Sequence, residues 1–403
     1  MRFEWFIAIR YLREGKAQTA LVLGGTTVGV AVLIFLTALI SGLQRSLVSQ
    51  TLSAQAHVLV KAPERVARPL PSDATTADHV EKVPDRIRSI EQWQQVLKAL
   101  PAIPGVIAAT PTAAGAAFAS RGPATKSVAL RGIDPESFAK VIDILPRMKS
   151  GRFALEGAEA IIGSTLASDL GVVVGDKIRI TTPEGRGDVF TVAGTFDIGN
   201  KEVNARWVFI PLRSAQTMLD IPGGATTIEV KVDEIFEAER VAREIARRFG
   251  LGADSWMELN QQLLVGLRSQ SASSWMIQGL VVLAVALGIA SVLGVSVIQK
   301  SREIGILKAT GTSTGAVQRI FLLEGALVGG AGSILGALIG SAMAIAFAGL
   351  ARNPTGEPLF PVDLTPGLYL GASAVALLTG TLAAWFPARR AARLEPAEVI
   401  RYG

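Results

Sequence analysis

The four longest stretches of this chain without a charged residue lie between Lys16 and Arg45, Arg268 and Lys300, Glu324 and Arg352, and Asp363 and Arg389. They hold 28, 31, 27 and 25 residues, and about 20 apolar residues suffice for a helix to cross a bilayer's hydrocarbon core. A charge near the middle of such a helix costs about 2.5–3.5 kcal/mol on insertion. The pattern therefore predicts four transmembrane helices, over 18–43, 269–299, 325–351 and 364–388. Ala54-Gln55-Ala56 imitates a signal-peptide cleavage site, but it lies well past the first run, which is too long for a signal sequence. Pro387 is expected to end the fourth span.

Ahead of the first span, residues 1–17 read as a cationic amphipathic helix. Trp5, Phe6, Ile9 and Leu12 share one face, as suits a helix lying in the membrane interface. The segment 44–268, between the first two spans, is long enough for a folded domain with its own core. Residues 63–88, rich in Pro, Asp, Arg and Thr, read as an irregular excursion. Helices are expected over 89–100, 161–170, 212–219 and 234–249. Strands are expected over 105–120, 126–131, 177–182, 189–197, 207–211 and 226–232. Pro183-Glu184-Gly185-Arg186-Gly187 serves as a hairpin turn. The fold class is an α-helical membrane protein with four transmembrane helices and a large α+β extracytoplasmic domain, whose β-rich middle, about 132–222, is inserted into an outer α/β half.

Composition agrees: apolar residues make up 49%, charged residues 18%, and mean hydropathy is +0.40. Twelve basic residues lie in 1–17, in 300–324 and in 389–403, against six acidic ones. That surplus equals the net charge of the whole chain, +6. The positive-inside rule therefore expects both termini and the loop 300–324 in the cytoplasm, with a short outer loop at 352–363. The charge is a topology signal, and nucleic-acid binding is not called for. The chain has no cysteine, which excludes disulfides and thiolate sites.

The residues of an enzyme are not assembled. No Gly-x-x-x-x-Gly-Lys-Ser/Thr phosphate loop occurs, no Gly-x-Ser-x-Gly elbow, and no His-Glu-x-x-His. The two histidines, His57 and His79, read as surface residues. The spans contain no ionisable residue, which argues against a proton- or ion-coupled carrier. No catalytic, cofactor or metal site is expected on this chain, so the energy for any work comes from a partner. Gly25-x-x-x-Gly29, Gly325-x-x-x-Gly329 and the ladder Gly332, Gly336, Gly340 permit close helix packing, within the subunit or across a dimer.

The segment between the second and third spans is patterned in a way a plain loop need not be. Arg302-Glu303-Ile304-Gly305-Ile306-Leu307-Lys308-Ala309 reads as a short helix, Gly311 as its terminator, and Thr312 or Ser313 as the cap of the next. Together with Phe321-Leu322-x-Glu324-Gly325 it resembles the cytoplasmic signature of the FtsX/MacB/LolC superfamily of ABC permeases, with Thr312 standing where the family has alanine. The tail, with Arg389, Arg390, Pro396 and Glu398, resembles the same family's C-terminus. Gly163-x-x-Leu166-Ala167-x-x-Leu170-Gly171 with Gly175-Asp176 resembles its periplasmic core.

The resemblance implies a type VII permease in the bacterial inner membrane, with porter-like and sabre-like periplasmic halves. It implies a dimer with a second copy or a paralogue above ABC ATPase subunits, which hold the ATP and Mg. Arg302, Glu303, Ile304, Gly305, Leu307, Lys308 and Gly311 are then the ATPase-coupling residues. Two branches stay open: export or release of a lipoprotein, lipid or other amphiphile, as in the LolC/E-like and DevC-like members, with a periplasmic adaptor or carrier; or signalling without transport, activating a partner such as a peptidoglycan hydrolase.

Overall fold

The computed structural model describes residues 2–63, 88–90, 92–350, 358 and 361–395. The expected excursion at 63–88 lies almost wholly outside these, as do His79, most of the loop 352–363, and Pro396 and Glu398. The chain forms two compact units, one of Met1–Leu47 with Val265–Gly403 and the other of Val48–Leu264.

The chain opens with helix α1 (Arg2–Glu14) and, past Gly15, a 39-residue helix α2 (Lys16–Ala54). The last turns of α2 extend beyond the expected span, and their Val48 and Leu52 join the core of the second unit.

That second unit is α+β. Its strands are β1 (Val58–Lys61), β2 (Val106–Arg121), β3 (Ala124–Ile133), β4 (Met148–Gly151), β5 (Glu159–Gly163), β6 (Lys177–Thr181), β7 (Gly187–Phe196), β8 (Trp207–Pro211), β9 (Thr227–Val232) and β10 (Gly252–Ser255). Its helices are α3 (Trp93–Ala99), α4 (Pro135–Val141), α5 (Ser164–Leu170), α6 (Lys201–Arg206), α7 (Leu212–Met218), α8 (Ala238–Phe249) and α9 (Trp256–Leu259). The order β10-β1-β9-β2 makes an antiparallel outer sheet, and α3 and α8 bury Val96, Val241 and Ile245 beside it with Trp256.

The strand β2 belongs to two structures. Val106–Thr112 pairs with β9, whereas from Ala113 onward the strand pairs with β3. The path β2-β3-β8-β5-β7-β6 then returns to β2 and closes a small barrel. The inserted middle therefore starts near Ala113, earlier than the expected 132. Nothing in the run Thr112-Ala113-Ala114-Gly115-Ala116-Ala117 punctuates the crossing from one sheet to the other, because its small residues suit both. The barrel interior is filled by Leu130, Ile162, Ile180, Phe190, Val192 and Ile210, with Leu166 and Leu170 of α5 packed on them.

Where β2 changes partners, a buried ion pair links the two sheets. Arg131 on β3 bonds Glu229 on β9, and Thr112 Oγ1 donates to the same Glu229 oxygen at 3.1 Å. The Arg131 guanidinium also stacks 4.2 Å from the Trp207 ring centre.

Two expectations in this unit are corrected. Residues 161–163 are strand, not helix: Ile161 and Ile162 are fully buried on β5 between β7 and β8, and a short β-branched run fits a sheet interior. His57 is buried rather than exposed, and its Nδ1 accepts the Val232 N–H at 3.2 Å. Burial lowers the His57 pKa below the usual histidine value.

The chain returns as α10 (Gln261–Gln299), α11 (Ser301–Ala309), α12 (Thr314–Leu350) and α13 (Pro366–Ala392). Among the described residues, α2, α10, α12 and α13 are long and apolar enough to cross a membrane. Pro387 does not end the fourth: α13 continues through it to Ala392, with the ring buried. Membrane helices tolerate such a proline because neighbouring groups re-satisfy the freed carbonyl.

The glycines of α12 divide between two neighbours. A Cβ on Gly325 would strike Gly380 and Ala384 of α13, and one on Gly329 would lie 2.5 Å from the Ala376 oxygen. Gly332, Gly336 and Gly340 instead face Thr26, Val30 and Ala31 of α2, where a Cβ on Gly336 would lie 2.6 Å from that of Val30. This ladder is thus spent on packing within the subunit. Gly29 abuts Val285 of α10, while Gly25 has nothing within 4 Å and lines an apolar groove of about 540 Å³ between α2 and α10.

Candidate functional site

The site is the nine-residue helix α11 with the turn that follows it. Glu303 stands in its first turn and Lys308 in its last, each at the end where its charge favours the helix dipole. The helix stops at a left-handed glycine: Gly311 has φ +100°, its N–H reaches the Lys308 carbonyl at 3.1 Å, and the Thr312 N–H reaches the Leu307 carbonyl at 3.0 Å. Those two bonds make a Schellman motif, which only glycine enters without steric cost. Of the two proposed caps of α12, the structure selects Ser313, whose Oγ accepts the Ala316 N–H at 3.3 Å.

Helix α11 has an inward and an outward side. Ile304 and Gly305 are buried, Ile304 in a core with Ile7, Ala8, Tyr11, Phe321, Ala388 and Ala391. Leu307 is half-buried. The outward side carries Arg302, Glu303, Ile306 and Ala309, all exposed, and Ile306 is 51% accessible. Exposed isoleucine at i+3 and i+4 from a charged pair gives a small apolar spot rimmed by both signs of charge. Ile306 was not among the residues singled out from the sequence, yet its spacing from Glu303 and Arg302 was there to be read.

The basic residues around α11 have separate tasks. Lys308 Nζ donates to the carbonyls of Ala392 and Leu394, at 3.0 and 2.5 Å, and so caps the C-terminal end of α13. Lys300, just ahead of α11, is buried: its Nζ donates to the Tyr11 carbonyl at 2.9 Å and lies 3.8 Å from the Tyr11 ring centre. Burial pulls the Lys300 pKa below the usual lysine value, against the opposing pull of the carboxylates of Glu324, Glu303 and Glu14. Burial likewise raises the Tyr11 hydroxyl to about 12. Arg319 on α12 pairs with the buried Glu4 of α1 at 2.8 Å.

Those contacts fix one side of α1. Glu4, Ile7, Ala8 and Tyr11 are buried, at the i, i+3, i+4, i+7 spacing of a packed helix face. Phe3, Trp5, Phe6 and Ile9 are left exposed, which suits contact with lipid. In the tail, Arg389 and Arg390 are both exposed, and the Arg389 guanidinium lies 5.8 Å from the Trp385 ring centre. No group of residues that could hold a metal ion occurs among the described residues.

Residues 19–248 match the MacB-like periplasmic core domain, and residues 275–396 match the FtsX-like permease C-terminal region. The chain belongs to the FtsX/MacB/LolC superfamily of ABC permeases. It is therefore a membrane-embedded permease subunit of an ABC transporter with a periplasmic domain. Over 436 residues it is 24% identical to the lipoprotein-releasing system transmembrane protein LolC of Neisseria meningitidis, covering 99% of each chain. It is 27% identical to LolC of Xylella fastidiosa, covering 98% of each. Against the macrolide export ATP-binding/permease protein MacB of Wolinella succinogenes it is 23% identical, covering 97% of this chain but 59% of that protein.

Proposed function

We propose that this chain is the permease subunit through which a separate ABC ATPase drives release of a lipoprotein, or a similar amphiphile, from the inner membrane towards the outer envelope. The observation that carries this reading is the end-to-end likeness to lipoprotein-releasing LolC proteins, over 98–99% of both chains. The MacB protein, by contrast, extends well beyond the matched region.

On this reading α11 is the docking element. Its outward face, Arg302, Glu303 and Ile306, offers charge and an apolar anchor to a cleft on the ATPase, which holds ATP and Mg. Ile304, Gly305 and Leu307 support that face from behind. The short helix has a defined start and a glycine stop, which lets it transmit a push as a rigid body. Both termini and α11 lie in the cytoplasm, as the basic residues of those segments favour. The permease works as a dimer with a second copy or a paralogue, and a periplasmic carrier or adaptor receives the substrate.

The test is ATP hydrolysis by the full-length chain reconstituted in liposomes with the ABC ATPase that co-purifies with it, using a triacylated lipopeptide as the substrate probe. Glu303→Lys and Ile306→Asp each abolish the stimulation and weaken ATPase binding. Undiminished stimulation and binding in both variants refute the docking assignment.

A further inference from the structure

We infer that Lys300 is a positioning residue that clamps the docking helix α11 to the N-terminal helix α1, so that a push on α11 moves both as one body. The inference rests on the docking role proposed above for α11, but its central contact stands apart from the docking face.

A lysine at the end of a membrane helix ordinarily extends its ammonium to water. Lys300 does the reverse. It is buried at the junction of α10 and α11, donates to the main-chain carbonyl of Tyr11 and covers the ring of the same residue. A hydrogen bond to a main-chain oxygen fixes α1 itself rather than a mobile side chain. The cation–π contact adds a second constraint in a dry setting, where such contacts are strongest.

The clamp is not isolated. Arg319, near the start of α12, grips α1 again at Glu4, about two helical turns from Tyr11. Tyr11 and Phe321 bring their rings to 6.2 Å between the two grips. On the opposite side Lys308 holds the end of α13. Of the four basic residues in 300–324, Arg302 is exposed towards a partner's surface, whereas Lys300, Lys308 and Arg319 bind helices together. Through Gly15, α1 leads directly into α2. A displacement imposed on α11 is therefore passed to the base of α2 by Lys300 and to the base of α13 by Lys308.

The absence of cysteine allows a direct test on the full-length chain in liposomes. Spin labels on Phe3→Cys and Ala309→Cys report the α1–α11 distance, and labels on Ala309→Cys and Arg393→Cys report α11 against the end of α13. Both pairs are expected to give one narrow distance distribution in the parent. Lys300→Met broadens the first and leaves the second unchanged; Lys308→Met does the opposite; Lys300→Arg keeps the first narrow. In the reconstituted complex, Lys300→Met retains ATPase binding and loses the lipopeptide stimulation. A first distance that stays narrow in Lys300→Met overturns the clamp. Parental stimulation in that variant despite a broadened distance overturns its part in coupling. Failure of the docking reading shows itself separately, as intact binding and stimulation in both Glu303→Lys and Ile306→Asp.

Discussion

Two glycines on different helices put the packing of the membrane unit to a quantitative test. At Gly329 an added Cβ would lie 2.5 Å from the Ala376 oxygen, 3.2 Å from its carbonyl carbon and 3.3 Å from the Leu377 Cα. Ordinary contact begins at 3.4 Å, so α12 and α13 must part by roughly 0.9 Å along that line. All three obstructing atoms are main chain of a helix, which cannot rotate away as a side chain would. Overpacking of this kind costs about 1–3 kcal/mol. At Gly25 nothing lies within 4 Å. There the same substitution brings only the better helix propensity of alanine, about 0.8–1.0 kcal/mol. That gain is common to both positions and cancels when the variants are compared. Gly329→Ala is therefore expected to be about 1–3 kcal/mol less stable than Gly25→Ala, with Gly25→Ala at or above the parent. The assay is reversible denaturant unfolding of the full-length chain in mixed micelles, dilute enough to keep it monomeric and followed by tryptophan fluorescence. Equal stabilities for the two variants would refute the assignment of the α12 glycines to contacts within the subunit.

Other perturbations follow from particular contacts. Arg131→Met strands Glu229 in a buried site, and removing one partner of such a pair costs about 3–5 kcal/mol; the double variant Arg131→Met/Glu229→Gln recovers much of that loss in the same unfolding assay. Gly311→Ala places a side chain at φ +100° and costs about 1 kcal/mol or more, read as faster amide exchange over the last turn of α11. Because the folded pKa of His57 is depressed, folding favours its neutral form. Its contribution to stability is thus present above the unfolded value of about 6.5 and declines as pH falls below it. Melting temperatures from pH 8 to pH 5 are expected to fall less steeply in His57→Gln than in the parent.

How far the sequence discloses the fold depends on where each signal resides. The four charge-free runs survive any packing, because the cost of a charge in hydrocarbon acts residue by residue. Helix ends are less legible: α2 and α10 extend well beyond their apolar runs, and no local feature marks where a helix leaves lipid if its backbone bonds continue. The hairpin of β6 and β7 is readable from Pro183–Gly187, whereas β1, β4 and β10 are four-residue strands too short for alternation to register. Helix α4 did carry a signal, since Asp134 caps it through the Ser137 N–H and Pro135 opens its first turn. The crossing of β2 between two sheets was hidden because small residues satisfy both environments.

The same division runs through the candidate site. The sequence places Arg302, Glu303, Ile304, Gly305, Leu307, Lys308 and Gly311 together, because they lie on one short helix and the turn that ends it. It does not say which of them face outward, since a nine-residue helix with apolar residues at 304, 306 and 307 has no unique buried side. Tertiary partners decide: Phe321 and Ala388 claim Ile304, and the carbonyls closing α13 claim Lys308. What remains outward is a smaller face, Arg302, Glu303 and Ile306, than the motif suggested. A residue before the motif, Lys300, turns inward to α1, which the charge pattern alone counts as one more cation at the membrane surface. Charge counting registers where a basic residue sits relative to the bilayer, and it is blind to whether that residue meets water, a partner or a carbonyl from a helix 289 positions away.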